Sequence, residues 1–186
     1  MSTHIEPVVT IDDLAAVPED GNRYEVIGGE LFVSRAPAFI HQIIITRLIA
    51  SIQSYLDHNP IGVVVTTPGI VFSEVDGVIP DLVYLTHERR KEIVIDERLR
   101  GAPELIVEVV SPGAENERRD RIVKRQLYGN YGVREYWTVD TGARSLEIYV
   151  LQERALRLAA THTGADVVTT SLLPGWEISI EKLFAP

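Results

Sequence analysis

The stretch ELIVEVVS, residues 104–111, decides the fold of this 186-residue chain. Five of its residues are Leu, Ile or Val, and a short apolar run of this kind predicts a strand that is covered on both faces. One acid, Glu108, interrupts the run. The next segments predict a charged helix over residues 116–131 and a further strand over residues 135–139. We therefore expect the stretch to form the central strand of a sheet that is packed against helices.

Two local patterns before this strand predict a hairpin and a long helix. Gly28-Gly29 separates two strand-like segments, residues 23–27 and 30–34, and two glycines supply the positive φ angles of a type I′ turn. From residue 39 to residue 58, apolar residues recur at steps of three and four, which is typical of an amphipathic helix.

The order of a hairpin, a helix, three strands, a helix and more strands predicts a mixed α/β or α+β fold. We expect one domain over residues 1–186, with an N-terminal hairpin at 22–34, a core over about 39–140 and C-terminal strands at 145–171. The remaining predicted strands are residues 63–66, 69–74, 78–85, 146–151, 155–161 and 167–171, and the remaining predicted helices are short segments at 10–18, 86–95 and 180–184.

Composition excludes several classes of protein. Hydrophobic residues make up 45% of the chain and charged residues 24%, which is typical of a folded protein and not of a disordered one. The sequence has no apolar run of roughly 18 residues and no leader pattern at its start, so we expect a cytoplasmic location. It contains no cysteine, which excludes thiolate zinc sites and leaves oxygen and imidazole ligands suited to Mg²⁺ or Mn²⁺.

The charge is acidic overall but unevenly distributed. With 18 Lys and Arg against 27 Asp and Glu, the net charge of −9 disfavours non-specific binding to nucleic acid. Residues 87–125, however, carry ten basic and nine acidic residues, so the rest of the chain has a net charge of −10. We expect a local basic strip that is able to bind one duplex, formed by Arg118, Arg119, Arg121 and Arg125.

Two acids interrupt apolar runs, Asp81 within residues 78–84 and Glu108 within residues 105–110. A buried carboxylate needs a proton, a cationic partner or a metal ion, because an unpaired buried charge costs several kcal/mol. On adjacent strands, these two carboxylates and the backbone carbonyl of Val109 are able to coordinate a divalent metal. The alternative is that Asp81 caps a turn and that Glu108 pairs with an arginine.

Lys124, 16 residues after Glu108, is the third candidate. A lysine beside a metal-bound water can orient that water and offset the charge of an attacked phosphate. The alternative is an ordinary solvated pair with Asp120, four residues earlier on the same helix.

Together these residues form a recognisable pattern that extends from Arg23 to Asp140, about two-thirds of the chain. It resembles the Uma-type restriction endonuclease family of bacteria, which belongs to the PD-(D/E)XK nuclease superfamily. The motifs that carry the resemblance are Pro80-Asp81, Glu108-Val109-Val110-Ser111-Pro112, Asp120-x-x-x-Lys124-x-x-x-Tyr128 and Gly132-Val133-Arg134-Glu135-Tyr136-Trp137-x-Val139-Asp140, preceded by Arg23-Tyr24-Glu25, Pro37 and His41-Gln42.

The resemblance implies a restriction-endonuclease-like fold, a mixed β-sheet flanked by helices. Asp81 and Glu108 match the two acids of the superfamily motif, whereas its lysine, expected two residues after the second acid, is replaced here by Val110. The position that matches is then Lys124. Glu25 and His41 also match the family pattern and are secondary candidates for contact with the metal or a phosphate. Their alternatives are pairing with Arg23 or another base for Glu25, and a purely N-terminal helix position for His41.

Three functional hypotheses follow. The first is a Mg²⁺-dependent endonuclease acting on DNA, in which Asp81 and Glu108 hold the metal and Lys124 orients the attacking water. The second is a catalytically silent relative that serves as a binding or assembly module. The third is a metal-dependent hydrolase of RNA or another phosphodiester. Cutting both strands of a duplex would be easiest for a two-fold homodimer.

Overall fold

A computed structural model describes residues 8–110 and 113–185; Ser111 and Pro112, the end of the motif that begins at Glu108, lie outside the described residues. The fold is a mixed α+β arrangement, as expected from the sequence. The strands are β1 (Arg23–Ile27), β2 (Glu30–Ser34), β3 (Gly62–Thr66), β4 (Ile70–Ser73), β5 (Asp76–Val78), β6 (Leu82–Thr86), β7 (Val94–Ile95), β8 (Arg98–Leu99), β9 (Leu105–Val110), β10 (Glu135–Asp140), β11 (Ser145–Gln152), β12 (Ala155–Thr163), β13 (Val167–Thr169) and β14 (Glu177–Ser179).

The helices lie between and after these strands, and one of them has an unusual centre. The predicted charged helix forms, but it consists of two α-helical halves joined by one π-helical turn. The helices are a 3₁₀ turn (Asp12–Ala16), α1 (Phe39–Leu56), α2 (His87–Ile93), α3 (Ala114–Arg118), the π-turn (Arg119–Val123), α4 (Lys124–Tyr131) and α5 (Ile180–Leu183).

The strands form two six-stranded sheets and a small two-stranded one. The first sheet has the order β2-β1-β5-β4-β8-β7, and the second has the order β12-β11-β10-β9-β6-β3. In the second sheet β9 pairs in parallel with β10 and antiparallel with β6. The prediction of a central strand over residues 104–111 is confirmed for Leu105–Val110, all six of which are buried, whereas Ser111 lies outside the described residues.

Hydrophobic cores cover both faces of the second sheet because neighbouring side chains of β9 point in opposite directions. Leu105, Val107 and Val109 contribute to the core that contains α1. Ile106 contributes to the other core, which includes side chains of the first sheet and of α4. Glu108 alternates with Val107 and Val109, so its side chain is directed to this second side, where α4 crosses the sheet.

The first hairpin and α1 form as predicted. Gly28 and Gly29 have φ angles of 60° and 78°, which fit the type I′ turn. Helix α1 begins at the predicted residue and ends two residues before His58.

The prediction of one strand over residues 78–85 is wrong. Strand β5 ends at Val78 in the first sheet, and β6 begins at Leu82 in the second sheet. Pro80 lies between them, and proline has no backbone N–H for a sheet ladder. Asp81 therefore lies in the connection that crosses between the sheets and not inside a strand. Asp76 and Gly77, which lie between the strands predicted at 69–74 and 78–85, belong to β5.

Candidate active site

All five sequence-predicted side chains meet in one place between the two sheets. Glu25 comes from β1, His41 from the first turn of α1, Asp81 from the connection before β6, Glu108 from β9 and Lys124 from the start of α4. Three further charged residues join them, so the group has four acids and four basic side chains. We call it the buried charge cluster: Arg23, Glu25, His41, Asp81, Glu108, Arg119, Asp120 and Lys124.

Asp81 accepts hydrogen bonds on both of its carboxylate oxygens. Oδ1 lies 2.8 Å from Arg23 Nη1, while Oδ2 lies 3.0 Å from His41 Nε2 and 2.9 Å from the backbone N of Val109. Burial alone would raise the pKa of Asp81, but the contacts with His41, Arg23 and the Val109 amide outweigh it and lower the pKa to about 2. Asp81 is therefore a carboxylate at any physiological pH.

Lys124 joins two acids from different strands. Its Nζ lies 2.9 Å from Glu25 Oε1 and 2.9 Å from Glu108 Oε1, and its side chain is 3% exposed. Burial would lower the pKa of Lys124, but the negative charges of Glu108 and Glu25 raise it above its usual value, so the ammonium form persists. The alternative of a solvated pair with Asp120 is wrong, because Lys124 is buried and Asp120 pairs with Arg119.

Glu108 has the most perturbed carboxyl group of the cluster. Its Oε1 accepts hydrogen bonds from Lys124 Nζ and, at 2.9 Å, from the hydroxyl of Tyr128. Burial is the largest cause of its shift, and the charges of Asp81, Asp120 and Glu25 add to it, so the pKa rises to about 8 despite the opposing effect of Lys124. A proton is thus retained on Glu108 near neutral pH.

Glu25 also anchors the connection that carries Asp81. Its Oε1 accepts a hydrogen bond of 2.8 Å from the backbone N of Ile79. Pairing of Glu25 with Arg23, the alternative given by the sequence, does not occur, because Arg23 pairs with Asp81. His41 is likewise more than a helix-terminal residue, since its ring contacts Asp81.

The π-turn determines which side chains of the charged helix enter the cluster. In a regular α-helix, Arg119 and Lys124, five residues apart, would point about 140° away from each other. A π-helical turn contains more residues, and both side chains are buried in the cluster. Arg119 Nε lies 2.9 Å from Asp120 Oδ1, and Arg119 Nη1 donates a 2.6 Å hydrogen bond to Ser34 Oγ.

The expected arginine strip does not form a free cationic surface, so that prediction is wrong. Arg119 is buried in the cluster, and Arg121 is paired with Asp140 and Glu147. The guanidinium of Arg125 lies 5.0 Å from the centre of the Tyr149 ring. Arg121 and Arg125 hold the helix against the second sheet, Arg119 contacts Ser34 of the first sheet, and only Arg118 of the four is exposed.

A small cavity of about 30 Å³ opens beside the cluster. Asp81, Val109, His41 and Lys124 contribute to its wall, and the exposed side chain of Arg35 is also part of its lining. Its volume is about that of one water molecule. The cavity therefore provides a place for a single water or ion next to the cluster.

The donor set fits a hard divalent cation in part. The described residues include no group of three or more His, Asp or Glu side chains arranged to hold a metal. Four carboxyl groups face three permanent cations, Arg23, Arg119 and Lys124, and the proton on Glu108 offsets the fourth acid. The carboxyl oxygens of Asp81 and Glu108 are nevertheless ligands of the kind that hard cations prefer, and a bound ion would take the place of this proton and draw its remaining ligands from water.

Sequence reasoning missed four participants: Arg23, Arg119 and Asp120 of the cluster, and Tyr128, which contacts Glu108. Tyr128 carried a usable signal, because Asp120, Lys124 and Tyr128 are spaced by four residues and share one side of the helix. Arg23 stands in the motif Arg23-Tyr24-Glu25, but the sequence gives no sign of its pairing, since its partner Asp81 is 58 residues away.

Comparisons with known proteins identify a family and a similar fold. The family model described as "Uma2: Putative restriction endonuclease" matches residues 11–181. A similar solved structure is a crystal structure of "a putative nuclease belonging to DUF820" from Anabaena variabilis ATCC 29413. It is 17% identical, with a TM-score of 0.77, and the match covers 95% of this chain and 98% of that chain. No curated protein matches the sequence.

No helix among the described residues is long and apolar enough to span a membrane.

Proposed function

Because the chain belongs to the Uma2 restriction endonuclease family, we propose that it is a metal-dependent endonuclease that hydrolyses phosphodiester bonds in DNA. The observation that carries the proposal is the meeting of Asp81, Glu108 and Lys124 in one buried cluster. Two acids are able to hold a divalent ion, and a lysine is able to orient the attacking water and offset charge on the phosphate, which are roles that metal-assisted hydrolysis of a phosphodiester uses.

In this proposal the carboxylates of Asp81 and Glu108, with the backbone carbonyl of Val109, hold Mg²⁺, for which Mn²⁺ substitutes. The bound ion would supply positive charge at the scissile phosphate and lower the pKa of an attacking water. Arg23 and His41 contact both oxygens of Asp81 in the present arrangement. Uptake of the ion is therefore expected to replace at least one of these two contacts.

Lys124 has the second role, which is to orient the attacking water and to offset the charge that develops on the phosphate. Its position supports this role, because the Nζ is fixed by two carboxylates and Lys124 lines the small cavity together with Asp81. Glu25 acts through Lys124 by fixing its ammonium group. His41 lies on the cavity wall and is the nearest imidazole to Asp81.

The proposal is tested by cleavage of supercoiled plasmid and of single-stranded DNA in Mg²⁺, Mn²⁺ or EDTA. Asp81→Asn, Glu108→Gln and Lys124→Met are compared with Glu92→Gln, a matched control at an exposed carboxylate on α2. We expect nicking that requires metal, survives in Glu92→Gln and falls at least a hundredfold in the three cluster variants. Cleavage that persists in EDTA, or that Asp81→Asn leaves intact, would contradict the proposal. Circular dichroism checks that each variant is folded.

A second candidate function is a silent binding or assembly module. One observation favours it: the acids Asp81 and Glu108 already contact Arg23, His41 and Lys124, so the cluster needs no metal to satisfy them. Calorimetric titration with Mn²⁺ separates the two candidates. Absence of Mn²⁺ uptake in the wild type, combined with increased stability of Asp81→Ala, would favour the module.

RNA or another phosphodiester is the third possibility, and the same assay with an RNA substrate decides between it and DNA. The homodimer and the cytoplasmic location also stay predictions. Sedimentation at several protein concentrations tests the homodimer.

A further inference from the structure

A second and much larger cavity, of about 640 Å³, lies away from the buried charge cluster. It is formed by β4, by the β8 segment and by one end each of α2 and α4. None of the eight cluster residues lines it. Its volume falls within the usual range for small-molecule sites, roughly 300–1,000 Å³.

One wall of this cavity is cationic. Arg98 and Arg100 flank Leu99, and because strand side chains alternate, the two arginines lie on one side while Leu99 is buried in the core. Both arginines are exposed, and neither has an ion-pair partner among the described residues. They are therefore available to an external anion.

A third arginine on this wall, Arg89, is held in place. Its Nε donates a 2.8 Å hydrogen bond to the carbonyl of Ala102, and its Nη1 lies 2.8 Å from Glu92 Oε2. These two contacts fix the plane of the guanidinium group. A fixed guanidinium loses less conformational entropy than a free one when it binds an anion.

The other wall is aromatic. The rings of Phe72 and Tyr131 are stacked, with centroids 4.5 Å apart and planes 13° apart. The Tyr131 hydroxyl donates a 2.8 Å hydrogen bond to Asp76 Oδ2. The Phe72 ring also packs near the ring of Tyr128, with the two ring centroids 6.3 Å apart. These contacts keep the pair rigid, and Tyr131 is 37% exposed. The pair offers an apolar, aromatic surface to a planar ring.

The cavity lining is less acidic than the protein as a whole. Arg89 is paired with Glu92, and the other two arginines, Arg98 and Arg100, balance the two lining acids, Asp12 and Glu74, whereas the chain has a net charge of −9. An anionic group is thus favoured at the arginine wall, and a planar ring is favoured at the aromatic wall.

We propose that this cavity binds a nucleotide unit, with the phosphate at Arg98 and Arg100 and the base against Phe72 and Tyr131. The unit is either a free nucleotide or one nucleotide of a single-stranded nucleic acid. The inference concerns binding alone, goes beyond the proposed nuclease reaction and does not depend on the metal.

Isothermal titration calorimetry in EDTA tests the proposal with 5′-dAMP, an eight-nucleotide DNA strand and inorganic phosphate as probes. The variant Arg98→Gln/Arg100→Gln removes two exposed charges, and Phe72→Leu removes one ring. The matched control is Arg90→Gln/Lys91→Gln, which removes two exposed charges of α2 that do not line the cavity. EDTA prevents the proposed cleavage, so an inactive nuclease would leave the binding result unaffected.

We expect dAMP to bind at least tenfold more weakly to Arg98→Gln/Arg100→Gln, at least fivefold more weakly to Phe72→Leu and equally well to the control. Phosphate should lose affinity only in the arginine variant. If the DNA strand binds more tightly than dAMP, the bound unit is one nucleotide of a single-stranded nucleic acid. If the two affinities are equal, the bound unit is a free nucleotide. The proposal is overturned if wild type binds neither dAMP nor the strand at 5 mM. It is also overturned if the control loses as much affinity, or if Phe72→Leu has no effect.

Discussion

Replacing Lys124 by methionine is the perturbation that examines the buried charge cluster most directly. The change keeps the length of the side chain but removes the ammonium group that lies 2.9 Å from both Glu25 and Glu108. All three side chains are at most 5% exposed, so water cannot take the place of the lost charge. Removing one partner of a buried pair costs about 3–5 kcal/mol, a large share of the 5–15 kcal/mol that stabilises a typical domain.

The cost of Lys124→Met should depend on pH. The pKa of Glu108 is raised from 4.5 to about 8 in the folded protein. Between these two pH values the folded state holds a proton that the unfolded state has lost, so the free energy of unfolding falls as the pH rises through this range. Without Lys124 the pKa of Glu108 moves higher still, so the variant keeps losing stability above pH 8. We expect a loss of about 3–5 kcal/mol at pH 9 and a smaller loss at pH 6.

Urea denaturation at the two pH values measures this effect, with Lys91→Met as the control. Lys91 is exposed on α2, and its replacement should change the free energy of unfolding by less than about 0.5 kcal/mol. Adding Glu108→Gln to Lys124→Met should recover at least half of the loss at pH 9, because it removes one uncompensated carboxylate. A loss below about 1 kcal/mol at pH 9, or no recovery in the double variant, would refute the reasoning.

Three further outcomes are expected from the structure. The pKa of Asp81 is lowered from 3.8 to about 2, so its carboxylate stabilises the fold above about pH 4, and this contribution is lost towards pH 2. Asp81→Asn should therefore lower the free energy of unfolding by about 2 kcal/mol at neutral pH and reduce its dependence on pH below about pH 4. The buried hydroxyl of Tyr84 has no hydrogen-bond partner among the described residues, so Tyr84→Phe should leave the free energy of unfolding unchanged or raise it by up to about 1 kcal/mol. A clear decrease in the melting temperature would show that the hydroxyl has a partner. Gly62→Ala would place a methyl group 2.2 Å from the carbonyl oxygen of Leu85, and calorimetry should show a loss of about 2 kcal/mol or more unless β3 shifts without cost.

Much of the architecture could be predicted because it is encoded locally. The pair Gly28-Gly29, the apolar steps of α1 and the apolar run of β9 each determine their own element within a few residues. The division of residues 78–85 between two sheets was missed although Pro80 gave a warning, because the apolar run continues across the proline.

Five members of the site were predictable from the sequence, but their pairings were not. A carboxylate inside an apolar run indicates a partner without identifying it, so Glu108 suggested an arginine or a metal, and the structure pairs it with Lys124 and Tyr128. The arginine strip failed for a related reason. Sequence gives the number of arginines on the helix, but it does not show that Arg119 and Arg121 are already engaged by carboxylates of this chain.

The π-turn of Arg119–Val123 has a consequence for sequence comparison and for engineering by insertion or deletion. The turn accommodates one additional residue, so deleting an exposed residue there, such as Ile122, would give a regular α-helix in which Arg119 and Lys124 are four residues and about 40° apart and still share one side of the helix. The spacing between Glu108 and its lysine is therefore not a fixed motif length. An alignment with a related sequence that places this additional residue outside the π-turn would assign the wrong side chain to the cluster.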